Sequence, residues 1–156
     1  MQMWNLKQLS DSEQEEIRLI GETLFRFGML CIAQQRRWKA AYAHEHLVGA
    51  TSWHRDDVHE ELARPSTAVR VFDQCRYGLC LRGTDMPIKK QTKFMSNSAA
   101  FLEEFDDKLR QCGTRPHARV QGVALGMPVS AYVARYTPGL CAGIARGVVA
   151  HLANSP

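Results

Sequence analysis

No acidic residue follows Asp107. All 16 carboxylates lie at or before it, against 14 Lys and Arg, so residues 1–107 carry −2. Lys108, Arg110, Arg115, Arg119, Arg135 and Arg146 then make the last 49 residues +6. A segment of one sign is an electrostatic footprint for an anionic partner, either nucleic acid or an acidic protein surface. Pairing with the acidic helices earlier in the chain accounts for the same arginines equally well. Long apolar runs are missing too: the longest charge-free stretch, Val120–Ala134, is too short and too rich in Gly and Pro to cross a bilayer. The opening MQMWNLKQLSD lacks the basic-then-apolar layout of a signal peptide. Five cysteines at uneven spacing (Cys31, Cys75, Cys80, Cys112, Cys141) fit reduced thiols better than a disulfide framework. The expectation is an intracellular protein of a reducing compartment with no membrane span, its organelle open. Neither GxGxxG, GxxxxGK[ST] nor GxSxG occurs, which leaves a self-contained nucleotide site or a hydrolase elbow without support.

What is present suffices for one folded domain. The chain has 156 residues, 45% hydrophobic and 23% charged, enough to bury a core. Ser10 followed by Glu13 fits a capping box, and Ile17, Ile20, Leu24, Phe27 and Cys31 repeat at three and four, which predicts an amphipathic helix from about Ser10 to Gln35. Lys39–His46 reads as a short strand. Ser52 can cap a second helix, whose first turns hold Asp56, Asp57, Glu60 and Glu61 and which Pro65 stops. Ala68–Asp73 alternates as a strand, and Gln91–Asn97 is a weaker one beyond a loop, Gln74–Lys90. Ser98 opens a helix with Leu102, Phe105 and Leu109 on one face, ending near Gly113.

Thr137-Pro138 supplies N-cap and first turn of a last helix. Its apolar stripe is Leu140, Ile144, Val148 and Leu152, while Gly139, Gly143 and Gly147 line another face and call for a close backbone neighbour. The organisation expected is a single α/β domain: an N-terminal helix over 1–37, a strand–helix core over 38–110, and a basic loop and C-terminal helix over 111–156. The alternation of helices and strands predicts a partial, mainly parallel sheet flanked by helices, an incomplete Rossmann-like layer. Three strands are few for such a fold. Either further strands lie within Ala118–Ala134 or another chain completes the sheet.

Several residues can carry chemistry. In His44-Glu45-His46 at a strand end, the histidines point to one face and Glu45 to the other, offering a two-histidine metal half-site or a single carboxylate aimed into a crevice. A polar strand end facing water is the plain alternative. Asp73-Gln74-Cys75 should emerge at the same sheet edge, and Lys89, Lys90 and Lys93 suit phosphate contacts. Cys75, Cys80, Cys112 and His117 form C-x4-C and C-x4-H pairs, at the wide end of zinc-ligand spacing, with His44 or His46 able to stand in for Cys80.

The order of motifs resembles the C-terminal half of a cytosine-5 DNA methyltransferase-like Rossmann domain, of the divergent kind found in protist polyproteins with retroelement segments. HEHLVGATSW, VFDQCRYGL, KKQTKFMSNS, the C-x4-H pair and YTPGLCAGIARGV carry it, from about Gln34 to Val149. The resemblance implies that Glu45 matches the family's glutamate for the flipped base, with Leu47 where that family has proline. The cofactor loop and the Pro-Cys nucleophile, which precede that glutamate in the family, are absent. Methyl transfer needs both, so the resemblance implies a non-catalytic fragment serving as an accessory or structural subunit of a larger assembly, with no cofactor of its own. Two further readings stand beside it: a nucleic-acid-binding protein using Lys89, Lys90, Lys93, Arg115, Arg119 and Arg135, and a small zinc enzyme with Glu45 as acid/base beside Cys75, Cys112, His117 and His46.

Overall fold

The computed structural model describes residues 9–106 and 116–154. The chain divides into two compact units, Met1–Ala40 and Ala41–Pro156. The first is dominated by helix α1, Asp11–Arg37. Its capping box forms as the sequence predicts: the Ser10 side chain accepts from the Glu13 amide, and the Glu13 carboxylate accepts from the Ser10 amide at 2.8 Å. Within the helix Arg18 pairs with Glu15 and Arg26 with Glu22.

The second unit is built on strands β1 (Ala43–Leu47), β2 (Ala68–Asp73) and β3 (Gln91–Ser96). A 3-10 turn over Thr51–His54 and helix α2 (Asp56–Leu62) connect β1 to β2. The Ser52 hydroxyl, expected to cap that helix, bonds His46 instead. The sheet corrects the sequence-based fold class. Its order is β1-β3-β2 with both pairings antiparallel, so the mainly parallel Rossmann-like layer is not formed. The β–α–β order does bring β1 and β2 into the same direction, but β3 inserts between them and runs against both. β3 reads weakly in sequence because it is central: Phe94 is buried toward one face and Met95 toward the other, which erases the alternation of a half-exposed strand.

One face of the sheet carries an aromatic core. Phe72, Phe94, Phe101 and Phe105 meet with ring centroids 4.7–5.3 Å apart, and Tyr77, Leu102 and Leu140 complete the cluster. Helix α3 (Ala99–Glu103), capped by Ser98, brings Phe101 and Leu102 to it. The helix expected to run on to Gly113 stops at Glu103, so Phe105 reaches the cluster from the turn beyond it, while Leu109 and Gly113 lie outside the described residues. Strands do occur within Ala118–Ala134, but as a separate two-residue ladder, β4 (Val123–Ala124) with β5 (Met127–Pro128). The short helix α4 (Val129–Tyr132) follows. Val129 and Val133 then join Leu79 and Ile88 in a second cluster.

Helix α5 (Pro138–Ala153) begins as predicted, with Thr137 as N-cap and Pro138 in the first turn. Its buried face is not the predicted stripe. Leu140 is fully buried, yet Val148 and Leu152 are exposed, and the glycine face turns inward. A Cβ at Gly139 would lie 2.5 Å from the Tyr77 carbonyl oxygen, one at Gly143 2.7 Å from the Tyr77 ring, and one at Gly147 2.8 Å from the Phe101 ring. The close neighbour that the three glycines call for is therefore this chain's own aromatic core, not a second protein.

Candidate functional site

β1 and β2 end at one sheet edge because each is antiparallel to β3: Leu47 stands opposite Thr92 and Asp73 opposite Gln91. His46 and Asp73–Cys75 thus lie toward the edge where Lys89 and Lys90 lead into β3, although the two strands are not neighbours; His44, opposite Met95, stands near the start of β1 rather than at its end.

Glu45 stands opposite Phe94, on the face of the aromatic core. Its carboxylate accepts from the Tyr136 hydroxyl at 3.0 Å. Lys90, half-buried, donates to the Val133 carbonyl at 2.9 Å; burial pushes its ammonium pKa down and Glu45 partly opposes that. Desolvation holds the Tyr136 phenol well above its usual value, with the Glu45 charge adding to the effect. Thr137 Oγ1 donates to the Tyr77 carbonyl at 2.6 Å and accepts from the Leu140 amide. These bonds pin residues 133–137 to the sheet and set the start of α5. The Tyr136 hydroxyl engages one oxygen of the Glu45 carboxylate and so ties this segment to β1. Beside it opens a cavity of about 380 Å³, lined among others by Tyr77, Leu79, Tyr132, Arg135 and Tyr136, at the small end of ligand-site volumes.

The histidines occupy the opposite face, as strand alternation requires. Their ring centroids are 6.4 Å apart, and Trp53 sits edge-on to both, at 5.8 Å from His44 and 6.4 Å from His46. Ser52 Oγ and His46 Nδ1 are 2.8 Å apart, the Trp53 indole donates to the Leu47 carbonyl at 2.7 Å, and Lys93 Nζ lies 4.4 Å above the Trp53 ring. Burial lowers both histidine pKa values, and each ring is further affected by a charge close by: His46 depresses His44, whereas Glu45 partly raises His46. The folded chain therefore favours the neutral rings. Their contribution to stability is fully present above the ordinary value of 6.5 and is lost as pH falls through the depressed folded values. We expect the melting temperature to drop between pH 7 and pH 5.5, and to drop less when both histidines are replaced by Gln. A wild-type slope unchanged in that double variant, read by thermal circular dichroism, contradicts this assignment.

Cys75 Sγ and His117 Nε2 lie 3.7 Å apart. Cys75 is disulfide-bonded, against the expectation of five reduced thiols, and this takes its sulfur out of a zinc ligand set. Cys31, Cys80 and Cys141 are free thiols; Cys112 and Arg115 lie outside the described residues. No three His, Cys, Asp or Glu side chains among the described residues are placed to hold a metal ion. Of the proposed phosphate contacts, Lys89, Arg119 and Arg135 are exposed, whereas Lys90 and Lys93 are engaged as above. Arg146, also in the basic third, pairs with Glu104.

Sequence reasoning missed Trp53 and Tyr136, whose roles depend on contacts across 9 or 91 residues of chain. It found the apolar repeat of α1 but not its exposure. Leu19, Ile20, Leu24, Phe27 and Leu30 are 52–68% exposed. Among the described residues no helix is long and apolar enough to cross a membrane. The chain matches no protein-family model, no curated protein and no solved structure.

Proposed function

We propose that the chain is a non-catalytic interaction subunit of a larger assembly, and that the apolar face of α1 is its binding surface. The observation that carries this reading is the exposure of five large apolar side chains on one helix. Fully burying such a side chain is worth about 1.5–3 kcal/mol, and proteins that act alone rarely leave a contiguous patch of them in water. Tertiary packing of an amphipathic face, rather than intrinsic propensity, supplies most of a helix's stability. The sheet-edge residues that suggest chemistry have other work: Glu45, Lys90 and Thr137 fix the start of α5, while His44 and His46 pack on Trp53. Phosphate binding has less behind it, since Lys90, Lys93 and Arg146 are already engaged within the chain.

A photo-crosslinking amino acid placed at Leu24 tests the reading in the native cells, with the same group at exposed Glu60 on α2 as control. The expected result is protein adducts of discrete mass from position 24 that position 60 does not give. Lipid adducts alone, or none, would overturn the proposal.

A further inference from the structure

The α1 face has a charge layout that selects its occupant, and we infer that a second copy of this chain covers it, α1 against α1 in antiparallel orientation. The inference rests on the binding role just proposed for that face and adds the identity of the partner. Residues 11–22 hold Asp11, Glu13, Glu15, Glu16 and Glu22 with Arg18 the one cation; residues 23–37 hold Arg26, Arg36 and Arg37 and no carboxylate. A parallel pair sets acidic end on acidic end. An antiparallel pair sets each acidic end on a basic one.

The apolar repeat has the matching geometry. Ile17, Ile20, Leu24, Phe27 and Cys31 follow the three-and-four spacing of a heptad seam, in which the two core positions of antiparallel helices alternate across the interface. That register sets Leu24 beside Phe27 of the second copy and Ile20 beside its Cys31, and brings Glu16 to its Arg37. Gly21 and Gly28, seven residues apart, flank the seam, and a Cβ at either would meet nothing within 4 Å in the single chain. Bare backbone along one side of the seam lets two helix axes approach closely. An anionic lipid surface fits less well, because interfacial helices carry Lys and Arg on their polar face whereas the first half of α1 is acidic.

Sedimentation of the purified full chain, with and without Leu24→Glu, tests the inference. The expected result is a mass of two chains, with the dissociation constant raised by at least about a hundredfold in the variant. Circular dichroism of both checks that Ala41–Pro156 stays folded. Orientation is read by mild oxidation in a Cys80→Ser, Cys141→Ser background, which leaves Cys31 as the one thiol of the three. Ile20→Cys should give a covalent dimer that Cys31→Ser abolishes, while the chain with Cys31 alone should not cross-link, because the two Cys31 residues then lie about 16 Å apart along the axis. Glu16→Arg and Arg37→Glu should each weaken the pair, and the double variant should restore it. A single-chain mass at high concentration, or Cys31-to-Cys31 linkage, overturns the inference. If that single-chain mass is found while position 24 still gives adducts to a different protein, the binding role survives; if it gives none, both fall.

Discussion

Phe94→Ala should cost about 3–5 kcal/mol of folding stability, a large share of the 5–15 kcal/mol typical of a domain. Phe94 sits on the central strand, 3% exposed, with its ring packed on Phe72, Phe101 and Phe105 at centroid distances of 4.7–5.3 Å. Truncation removes three aromatic contacts and opens a cavity between the sheet and α3. The surrounding rings are themselves held by one another, so they cannot collapse into the gap. Urea unfolding monitored by circular dichroism measures the loss; a cost below about 1 kcal/mol, the scale of a surface substitution, contradicts the assignment of this core.

Gly139→Ala should also destabilise, by about 2–3 kcal/mol, at a helical position where alanine is ordinarily the better residue. The added methyl would lie 2.5 Å from the Tyr77 carbonyl oxygen, and that oxygen already accepts from Thr137 at 2.6 Å. A backbone carbonyl held in this way has no room to yield. Gly143→Ala would set its methyl 2.7 Å from the Tyr77 ring, which the bond of its hydroxyl to the Glu104 carbonyl and its packing on Phe72 and Phe105 hold in place, so it should destabilise as well. The same unfolding experiment ranks the two, and a Gly139→Ala chain as stable as wild type would remove α5 from its position against Tyr77.

How much of this was legible in the sequence depended on how local the signal was. Ser10 with Glu13, and Thr137 with Pro138, fixed two helix starts because capping is settled within four residues. β2 was readable to the residue, since Ala68–Asp73 alternates. The direction of the sheet was not. Whether β1 and β2 are neighbours depends on where β3 goes, and its partners lie about 50 and 20 residues away in sequence, outside any local pattern. The glycines of α5 pointed correctly to a close approach, but only the position of Tyr77 and Phe101 shows that the approach is internal. At the sheet edge, alternation placed Glu45 and the histidines on opposite faces. It carried no sign that Tyr136 would take up the carboxylate or that Trp53 would pack on both imidazoles.

The central claim is that the apolar face of α1 is covered in the working protein, and the chain's own thiols measure it most directly. Cys31 is the last residue of the seam on that face and is exposed in the single chain, as is Cys141 on α5, outside it. Alkylation rates of the two, followed by mass spectrometry in a native extract and again in denaturant, need no substitution. The account predicts that Cys31 reacts at least about tenfold more slowly than Cys141 in the native extract and that the two become equal once unfolded, as burial of a thiol requires. Equal rates in the native extract would contradict it.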